Sequence, residues 1–408
     1  MSRDPTRRKI ALFGVFGAGN LGNECTLHAM LYNLRRYLPN AEVLCICSGP
    51  ENTASSLNIS AFPIRESPLP PINNAILRVL RRIFIGVPVE LYRWFRAIIR
   101  LAGTDMLIMT GTGMLGDFGI SPFGLHYDIL KWSIIAKLCR CKLLFVSVGA
   151  GPIRRPLSRF FVKAALALAN YRSYRDDFSK NYLQCIGFDA KNDRVYPDLA
   201  FSLPEEIIRR SQDREGHGGV IGVGLMTYYG RQGASEDDGA VYRAYVAKLA
   251  CFVAWLLEHK YTARFLIGDF VWDQRVRQDL KALLEDRKLK FGDGKIIDVP
   301  ARSFEEVLSQ LAATDVVVAS RFHNILLALM LNKPVVSVSP HEKVDSLMSA
   351  VGLSEFCHNI EHIEIDRLAE QVAVLEGDSD NIRLRIEQTT EENRTALDAQ
   401  FDQIFKCV

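Results

Sequence analysis

The chain has 408 residues, enough for two or three domains of ordinary size. Hydrophobic residues make up 48% of it and charged residues 24%, a globular composition that excludes a largely disordered chain. Lysine and arginine number 50 against 47 aspartates and glutamates, for a formal net charge of +3, so the composition gives no reason to expect a nucleic-acid partner.

The cysteines and the N-terminus indicate the cellular compartment. Nine cysteines form no C-x-x-C pair, and no histidine stands at ligand spacing from the C-x-C pairs Cys45–Cys47 and Cys139–Cys141, so we expect reduced thiols and no metal site. The first ten residues are basic, but the run after them contains Gly14, Gly17 and Gly19 where a signal peptide would be apolar. We therefore expect a cytoplasmic protein without a signal peptide.

The first half of the chain alternates short apolar runs with longer helical stretches. Strands are predicted for KIALFGVFG, EVLCICS, DMLIMTG, KLLFVSVGAG and YRSYRD. Helices are predicted over residues 22–38, 126–139 and 157–170. Near-continuous apolar strands that alternate with helices are typical of a parallel sheet covered on both faces.

Residues 75–101 form a basic amphipathic segment, AILRVLRRIFIGVPVELYRWFRAIIRL. Six arginines stand among isoleucine, leucine, phenylalanine and tryptophan, and Pro88 interrupts the pattern, so we predict two helices joined at Gly86–Pro88. These helices either pack on the surface of a domain, or lie on an anionic membrane or in the groove of a partner protein.

A polar stretch, LPEEIIRRSQDREGHG, separates the two halves of the chain. After it the alternation resumes, with strands predicted for GVIGVGL, ARFLIGD, KIIDVP, DVVVAS and KPVVSVS and helices between them. We therefore predict two doubly wound α/β domains with parallel sheets. The predicted boundaries are a first domain of residues 1–203, a linker of 204–218, a second domain of 219–375 and a C-terminal helical segment of 376–408.

The first candidate site is the glycine loop GVFGAGNLGNE, since ligands bind where the strands of an open parallel sheet end. Its glycines follow the G-x-G-x-x-G spacing, at Gly17, Gly19 and Gly22. A nicotinamide cofactor would need an acidic residue where the second strand ends in Cys-Ser-Gly, so we do not favour it. The loop is then either a tight turn or a backbone cradle for an anion, with Asn20 and Glu24 holding the loop or touching the substrate.

Three further loops follow predicted strands of the first half. The loop MTGTGMLGDFG contains Gly111 and Gly113, which allow close backbone approach, and Asp117, which could orient a hydroxyl group. The loop SVGAGPI presents Gly149 at the same sheet edge, either lining a cleft or serving as a plain connection. Arg175 follows the next strand and is either a surface ion pair or a guanidinium that binds a carboxylate or phosphate.

The strongest candidate site lies in DVVVASRFHNILLALMLNKPVVSVSPHEK. A buried strand ends at Ser320, and Arg321 and His323 stand at the first turn of the next helix, where the helix dipole favours anions. The next strand is followed by His341 and Lys343. Because parallel strands end at the same sheet edge, we expect these groups to converge and His323 to have a catalytic or ligand-binding role.

Four of these stretches together resemble the polysaccharide pyruvyl transferase family. They are GAGNLGNE, the glycine loop after DMLIMTG, YRDDFS with the later YPDLAF, and SRFHNILLALMLNKPVVSVSPHEK, and the resemblance spans roughly residues 14–348. It implies a GT-B-like fold, in which two Rossmann-like domains face each other across a cleft. It also implies transfer of a pyruvyl group from phosphoenolpyruvate to a sugar of a polysaccharide or its precursor, forming a ketal. Arg321, His323, Lys343 and Arg175 match positions that bind the anionic donor or assist the chemistry.

These expectations assign a role to each candidate residue. His323 and Arg321 are assigned to catalysis, and the donor site to Arg175, Lys343, Ser320 and His341. The acceptor sugar, free or lipid-linked, is assigned to the loops that hold Gly19, Asn20, Gly22, Glu24, Gly111, Gly113, Asp117 and Gly149. Phosphoenolpyruvate is a co-substrate, and neither a metal nor another cofactor is expected.

Two other functions stay open at this point. The same domains would suit a GT-B glycosyltransferase with a nucleotide-sugar donor. An inactive, glycan-binding relative would use residues 75–101 to dock on a membrane or a partner. For the enzyme as well, we expect peripheral contact of residues 75–101 with the inner face of the membrane; no oligomeric state is predicted.

Overall fold

The computed structural model describes residues 8–66, 75–116, 121–212, 218–230, 238–289 and 294–406, and for 75–84, 210–212 and 238 it describes the backbone alone. The chain divides into two compact units. The first comprises residues 1–18 and 34–198, and the second residues 19–33 and 199–408. The domain boundaries predicted from the sequence stay a prediction, because compact units group residues by contact and do not by themselves define domains.

The first unit contains a parallel sheet. Its strands are β1 (Lys9–Gly14), β2 (Glu42–Cys47), β3 (Ser60–Pro63), β4 (Met106–Thr110), β5 (Lys142–Val148), β6 (Tyr171–Tyr174) and β7 (Arg194–Val195). Their order in the sheet is β3-β2-β1-β4-β5-β6-β7, with every pairing parallel. Leu12 of β1 lies opposite Cys45 of β2 and Ile108 of β4, so the central strands are aligned along their length.

The helices of the first half connect these strands. They are α1 (Leu21–Tyr37), α2 (Pro50–Leu57), α3 (Ala75–Leu101), α4 (Leu125–Leu138), α5 (Pro156–Ala167) and α6 (Asp177–Cys185). Apolar side chains of the sheet and of these helices are fully or almost fully buried together, among them Phe13, Met109, Trp132 and Phe145. Helix α1 is divided, because its residues up to Asn33 group with the second unit and the rest with the first.

The prediction of two helices joined at Gly86–Pro88 was wrong. Helix α3 runs without a break from Ala75 to Leu101 and carries Pro88 inside it. Proline removes one backbone hydrogen bond from a helix, but the inner face of α3 is anchored beyond it, since Ala97 and Leu101 are buried in the core of the first unit. Burial of this inner face therefore compensates for the backbone hydrogen bond that is lost at Pro88.

The second unit contains a second parallel sheet. Its strands are β8 (Val220–Leu225), β9 (Thr262–Ile267), β10 (Ile296–Ile297), β11 (Val316–Ala319), β12 (Val335–Ser339) and β13 (Cys357–Asn359). Its helices are α7 (Glu205–Gln212), α8 (Asp238–Glu258), α9 (Gln274–Asp286), α10 (Phe304–Ala312), α11 (Phe322–Met330), α12 (Glu342–Ala350), α13 (Ile365–Gly377) and α14 (Ser379–Phe405). Helix α7 lies within the polar stretch predicted as a linker.

The two sheets share one topology. The second sheet has the order β10-β9-β8-β11-β12-β13. In each sheet the first three strands run outward to one side of the first strand, β1 or β8, and the later strands add on its other side. This is the order of the Rossmann fold, and the prediction of two such α/β domains is confirmed. The order reverses between β1 and β4 and between β8 and β11, and ligands of such sheets bind beside the strand ends at the reversal.

Helix α8 is long and strongly apolar. Within the described residues, Gly239–Glu258 is one candidate membrane span by length and composition alone. Its side chains at Tyr245, Leu249, Phe252 and Leu256 are at most 3% exposed, and the helix packs on α9 and α13. These contacts are those of a core helix in the second unit.

Candidate active site

Arg321 lies at the reversal point of the second sheet. Strand β11 ends at Ala319, and Arg321 is the residue that caps the N-terminus of α11. Its guanidinium donates two hydrogen bonds to Asp273, from Nε to Oδ2 at 3.0 Å and from Nη2 to Oδ1 at 2.5 Å. Asp273 is fully buried, whereas the Arg321 side chain stays 25% exposed. The bidentate pair therefore fixes the guanidinium while part of it remains accessible.

Asp273 is held by more than Arg321. Its carboxylate also accepts hydrogen bonds from three backbone N–H groups, those of Gly268, Asp269 and Thr227, at 3.2, 2.9 and 3.1 Å. This side chain thus joins the loops that follow β8 and β9 to the start of α11. Sequence reasoning missed it, although the two aspartates that flank Phe-Val-Trp directly after β9 were an available signal.

Two glycines allow α11 to lie close to the strand ends. A Cβ atom on Gly268 would come within 2.9 Å of Asn324 Oδ1 and 3.0 Å of Arg321 Cγ, and one on Gly224 within 2.5 Å of the Cβ of Ala319. Asn324 is fully buried, and in the described part of the chain neither its Oδ1 nor its Nδ2 has a hydrogen-bond partner. Because positions 224 and 268 carry no side chain, the start of α11 can pack directly on the backbone at the ends of β8 and β9.

His323 packs directly on the predicted glycine loop. A Cβ atom on Gly22 would lie 2.1 Å from His323 Nδ1 and 2.2 Å from Cε1, so only glycine leaves room for the imidazole there. The Phe322 ring meets the imidazole edge to face, with centroids 5.1 Å apart. The backbone of Gly22 on one side and this aromatic ring together restrict the position of the imidazole.

The start of α1 is tied to the same strand ends. Asn20 Oδ1 accepts hydrogen bonds from the backbone N–H groups of Gly22 and Asn23, which caps the helix, and Asn20 Nδ2 donates to Asp269 Oδ2 at 3.1 Å. The Phe270 N–H donates to the carbonyl of Gly19 at 2.8 Å. Glu24 stands in the first turn of α1. The sequence assigned this loop to the acceptor, and the structure places it beside His323.

Ser320 and its neighbour are buried. Ser320 Oγ lies 3.2 Å from the hydroxyl oxygen of Tyr245, and both side chains are at most 2% exposed. Burial raises the pKa of Tyr245 to about 12, which the hydrogen bond with Ser320 partly opposes. The phenol therefore stays protonated at neutral pH and orders the end of β11.

His341 and Lys343 follow the neighbouring strand. Strand β12 pairs with β11 in parallel, with Ala319 opposite Ser337, so their carboxyl ends lie at the same edge. His341 caps α12, and its backbone carbonyl accepts a hydrogen bond from Ser339 Oγ at 3.0 Å. Lys343 is in the first turn and is 6% exposed. The structure thus puts both at the edge that carries Arg321 and His323.

The predicted loops of the first unit form a second cluster. The N–H of Gly149 donates to the carbonyl of Thr112 and its carbonyl accepts from the N–H of Leu115, so the loop after β4, which holds Gly111 and Gly113, is paired with the loop after β5. A Cβ atom on Gly149 would lie 2.7 Å from Arg175 Nε. Asp117 lies outside the described residues.

Arg175 is almost buried between two acidic side chains. Its Nη1 donates to Asp198 Oδ2 at 3.2 Å and its Nε to Asp176 Oδ2 at 3.3 Å, and the side chain is 7% exposed. Asp176 also caps α6 by accepting from the N–H of Ser179 at 2.6 Å. The pair is therefore not a simple surface ion pair, because Asp198, 23 residues away, shares the guanidinium.

Within the second unit this arrangement can bind an anion and move a proton. A fixed guanidinium and the N-terminus of α11 favour negative charge, and an imidazole next to them can donate or accept a proton. The described residues hold no group of three or more histidine, cysteine or acidic side chains placed to bind a metal ion.

Several solved structures share this fold at low sequence identity. A UDP-GlcNAc 2-epimerase from Methanocaldococcus jannaschii has a TM-score of 0.57 at 11% identity, over 90% of this chain and 92% of that one. HepE from Anabaena, in complex with UDP and glucose, has a TM-score of 0.59 at 15% identity over 98% and 99%. MurG from Acinetobacter baumannii has a TM-score of 0.51 at 11% identity over 98% and 100%. At these identities the likeness establishes the fold alone, and it confirms the predicted GT-B-like class.

Comparison with curated protein sequences found no significant match. Among protein families, the model named polysaccharide pyruvyl transferase matches residues 20–342. This range contains residues 20–24 of the glycine loop, the cluster of the first unit, the whole of α11 and His341, and it ends one residue before Lys343. The chain is therefore a transferase that belongs to the polysaccharide pyruvyl transferase family.

Proposed function

We propose that this protein transfers a pyruvyl group from phosphoenolpyruvate to a sugar of a polysaccharide or its precursor, forming a ketal. The observation that carries the proposal is the fixed pair at the N-terminus of α11. There the guanidinium of Arg321 is held by Asp273 and the imidazole of His323 is held against Gly22. Membership of the family supplies the reaction class, and this pair supplies the groups that the reaction needs.

Phosphoenolpyruvate carries a phosphate and a carboxylate, so its site needs several fixed positive groups. Arg321 offers a partly exposed guanidinium, and Lys343 stands in the first turn of the next helix at the same sheet edge. The N-terminal N–H groups of α11 and α12 add positive potential at that edge. In this proposal Arg321 and Lys343 bind the donor, with Ser320 and His341 beside them.

The transfer needs one proton delivered and at least one removed. Protonation of the methylene carbon of the donor makes C2 electrophilic, and a sugar hydroxyl then attacks C2 and loses its proton. The C2–O bond to phosphate then breaks, and phosphate leaves with its electron pair. A second hydroxyl of the sugar attacks C2 and loses its proton, which closes the ketal. We assign proton transfer to His323, which is worth about 10²–10⁴-fold in rate. Arg321 stabilises the charge that develops on the departing phosphate.

The acceptor is assigned to the first unit. The paired loops that hold Gly111, Gly113 and Gly149 offer backbone to the acceptor. Arg175, which the sequence assigned to the donor, lies beside Gly149 and is held in place by Asp176 and Asp198. Gly19, Asn20 and Gly22 instead order the start of α1 and the imidazole. Cytoplasmic location is part of the proposal, because phosphoenolpyruvate is a cytoplasmic metabolite.

A nucleotide-sugar glycosyltransferase is the second candidate, and the fold likeness to HepE in complex with UDP and glucose favours it. Calorimetry separates the two candidates. Phosphoenolpyruvate and UDP are titrated separately into the wild-type protein, the Arg321→Ala variant and an Arg385→Ala control, in which the lost arginine is 52% exposed on α14.

Saturable binding of phosphoenolpyruvate that only Arg321→Ala loses supports the proposal. Binding of UDP without binding of phosphoenolpyruvate contradicts it and favours the glycosyltransferase. Binding of neither compound favours an inactive glycan-binding relative.

A further inference from the structure

Helix α3 presents an apolar face to solvent. Its outer side carries Val87, Leu91, Phe95 and Ile99, which are 72%, 66%, 61% and 46% exposed. Their spacing of four residues places them along one side of the helix, and we call them the α3 apolar face. Ala97 and Leu101, on the inner side, are buried in the core of the first unit. A soluble surface helix normally has polar side chains on its outer side.

Arginines line one edge of the same helix. Arg93, Arg96 and Arg100 follow one another at spacings of three and four residues, and each is 25–30% exposed. Glu90 pairs with Arg93 at 3.1 Å, and Glu66 pairs with Arg96 at 2.8 Å and approaches Arg100 at 3.6 Å. Three guanidiniums thus share two carboxylates. Over its full length the α3 sequence contains six arginines and one glutamate.

Another exposed apolar side chain lies next to this face. Leu138, which ends α4, is 65% exposed, and the following residue, Cys139, directs its Sγ at the carbonyl of Ile98 at a distance of 3.9 Å. Ile98 is itself 36% exposed. The exposed apolar surface therefore continues beyond a single row of side chains.

We propose that the α3 apolar face docks on an anionic lipid bilayer. A helix with an apolar side and arginines along its edge lies in the plane of a bilayer surface, with its apolar side chains among the acyl chains and its guanidiniums at the headgroups. The charge decides between this surface and a second copy of the chain. Two copies paired through α3 would bring arginine-rich helices together, whereas anionic headgroups neutralise them.

Vesicle flotation tests this proposal independently of the catalytic one. The full-length protein is mixed with vesicles of phosphatidylglycerol and phosphatidylcholine, or with phosphatidylcholine alone. The test variant carries Leu91→Ser and Phe95→Ser, which remove exposed side chains and spare the core. Leu384→Ser is the matched control, because Leu384 is 65% exposed on α14 of the second unit. Circular dichroism and melting temperature verify that all three proteins are folded.

We expect the wild-type and control proteins to float with the anionic vesicles. The vesicle-bound amount of the double variant should be at least tenfold lower. Raising the salt concentration should weaken the binding, because part of it is electrostatic. A wild-type protein that does not float, or a double variant that floats equally well, overturns the proposal. Light scattering adds one more outcome: a dimer that only the double variant dissociates would assign the face to a second copy and also overturn it.

Discussion

Replacing Gly22 by alanine should lower the turnover number on the order of 10²-fold, because it displaces the imidazole of His323. The added Cβ would lie 2.1 Å from His323 Nδ1. An ordinary contact needs about 3.5 Å, so the ring must retreat by about 1.4 Å or the start of α1 must move. A shift of that size takes a proton-transfer group out of reach of its substrate atom.

The assay follows phosphate release from phosphoenolpyruvate with a panel of saccharide acceptors, together with calorimetric titration of the donor. Donor affinity should remain unchanged in Gly22→Ala, since Asp273 and not Gly22 holds Arg321. Gly377→Ala in α13 is the matched control, because a Cβ atom there meets nothing within 4 Å. Alanine favours a helix over glycine by about 1 kcal/mol, so neither variant should lose stability through helix propensity.

Full turnover in Gly22→Ala would refute the assignment of proton transfer to His323. A loss of turnover that is matched by an equal loss of donor affinity would also refute it, since the substitution would then act on the binding of phosphoenolpyruvate. Equal losses in Gly22→Ala and Gly377→Ala would point to a general effect on the second unit.

Three further predictions concern the second unit. Asp273→Asn leaves the partly exposed guanidinium of Arg321 without its charged partner. Urea denaturation should therefore show a loss of about 2 kcal/mol in the free energy of unfolding. A loss below about 0.5 kcal/mol would contradict this prediction. Tyr245→Phe removes the hydrogen bond with Ser320 and should cost about 1 kcal/mol by the same method, whereas a gain in stability would argue against that bond. Burial lowers the pKa of His358 from its ordinary value of 6.5. As the pH falls, the unfolded state therefore binds this proton before the folded state does. The free energy of unfolding should fall as the pH drops below 6.5 towards the pKa that His358 has in the folded protein. His358→Gln should flatten the melting temperature against pH in that window, and identical slopes in both proteins would rule the effect out.

The fold was predictable because its strands are buried on both sides. A strand covered on two faces is a continuous apolar run, and VVVA of β11 or VVSVS of β12 can be recognised without any partner. The position of Arg321 and His323 at the first turn of α11 followed from the same pattern. Local sequence suffices when a strand end and a helix start determine where a residue lies.

The contacts around those residues were not predictable in this way. Asp273 reaches Arg321 across 48 residues, and its own neighbourhood is a turn after β9 that many charged residues would suit. Gly22 fitted the G-x-G-x-x-G spacing, yet its observed contact is with a side chain more than 300 residues away, which no local spacing encodes. Pro88 signalled a helix end, and tertiary burial on the inner side of α3 prevailed.

The grouping of residues 19–33 with the second unit limits how this chain can be cut or recombined. A fragment that begins at Leu199 would lack the carbonyl of Gly19 that accepts from Phe270 and the N–H of Leu21 that donates to the carbonyl of Gly268. It would also lose the side chain of Asn20, which donates a hydrogen bond to Asp269. A chimera that exchanges halves between relatives near residue 200 would pair the imidazole of His323 with the glycine loop of another protein. A functional chimera should therefore take residues 19–33 and residues 199–408 from the same parent.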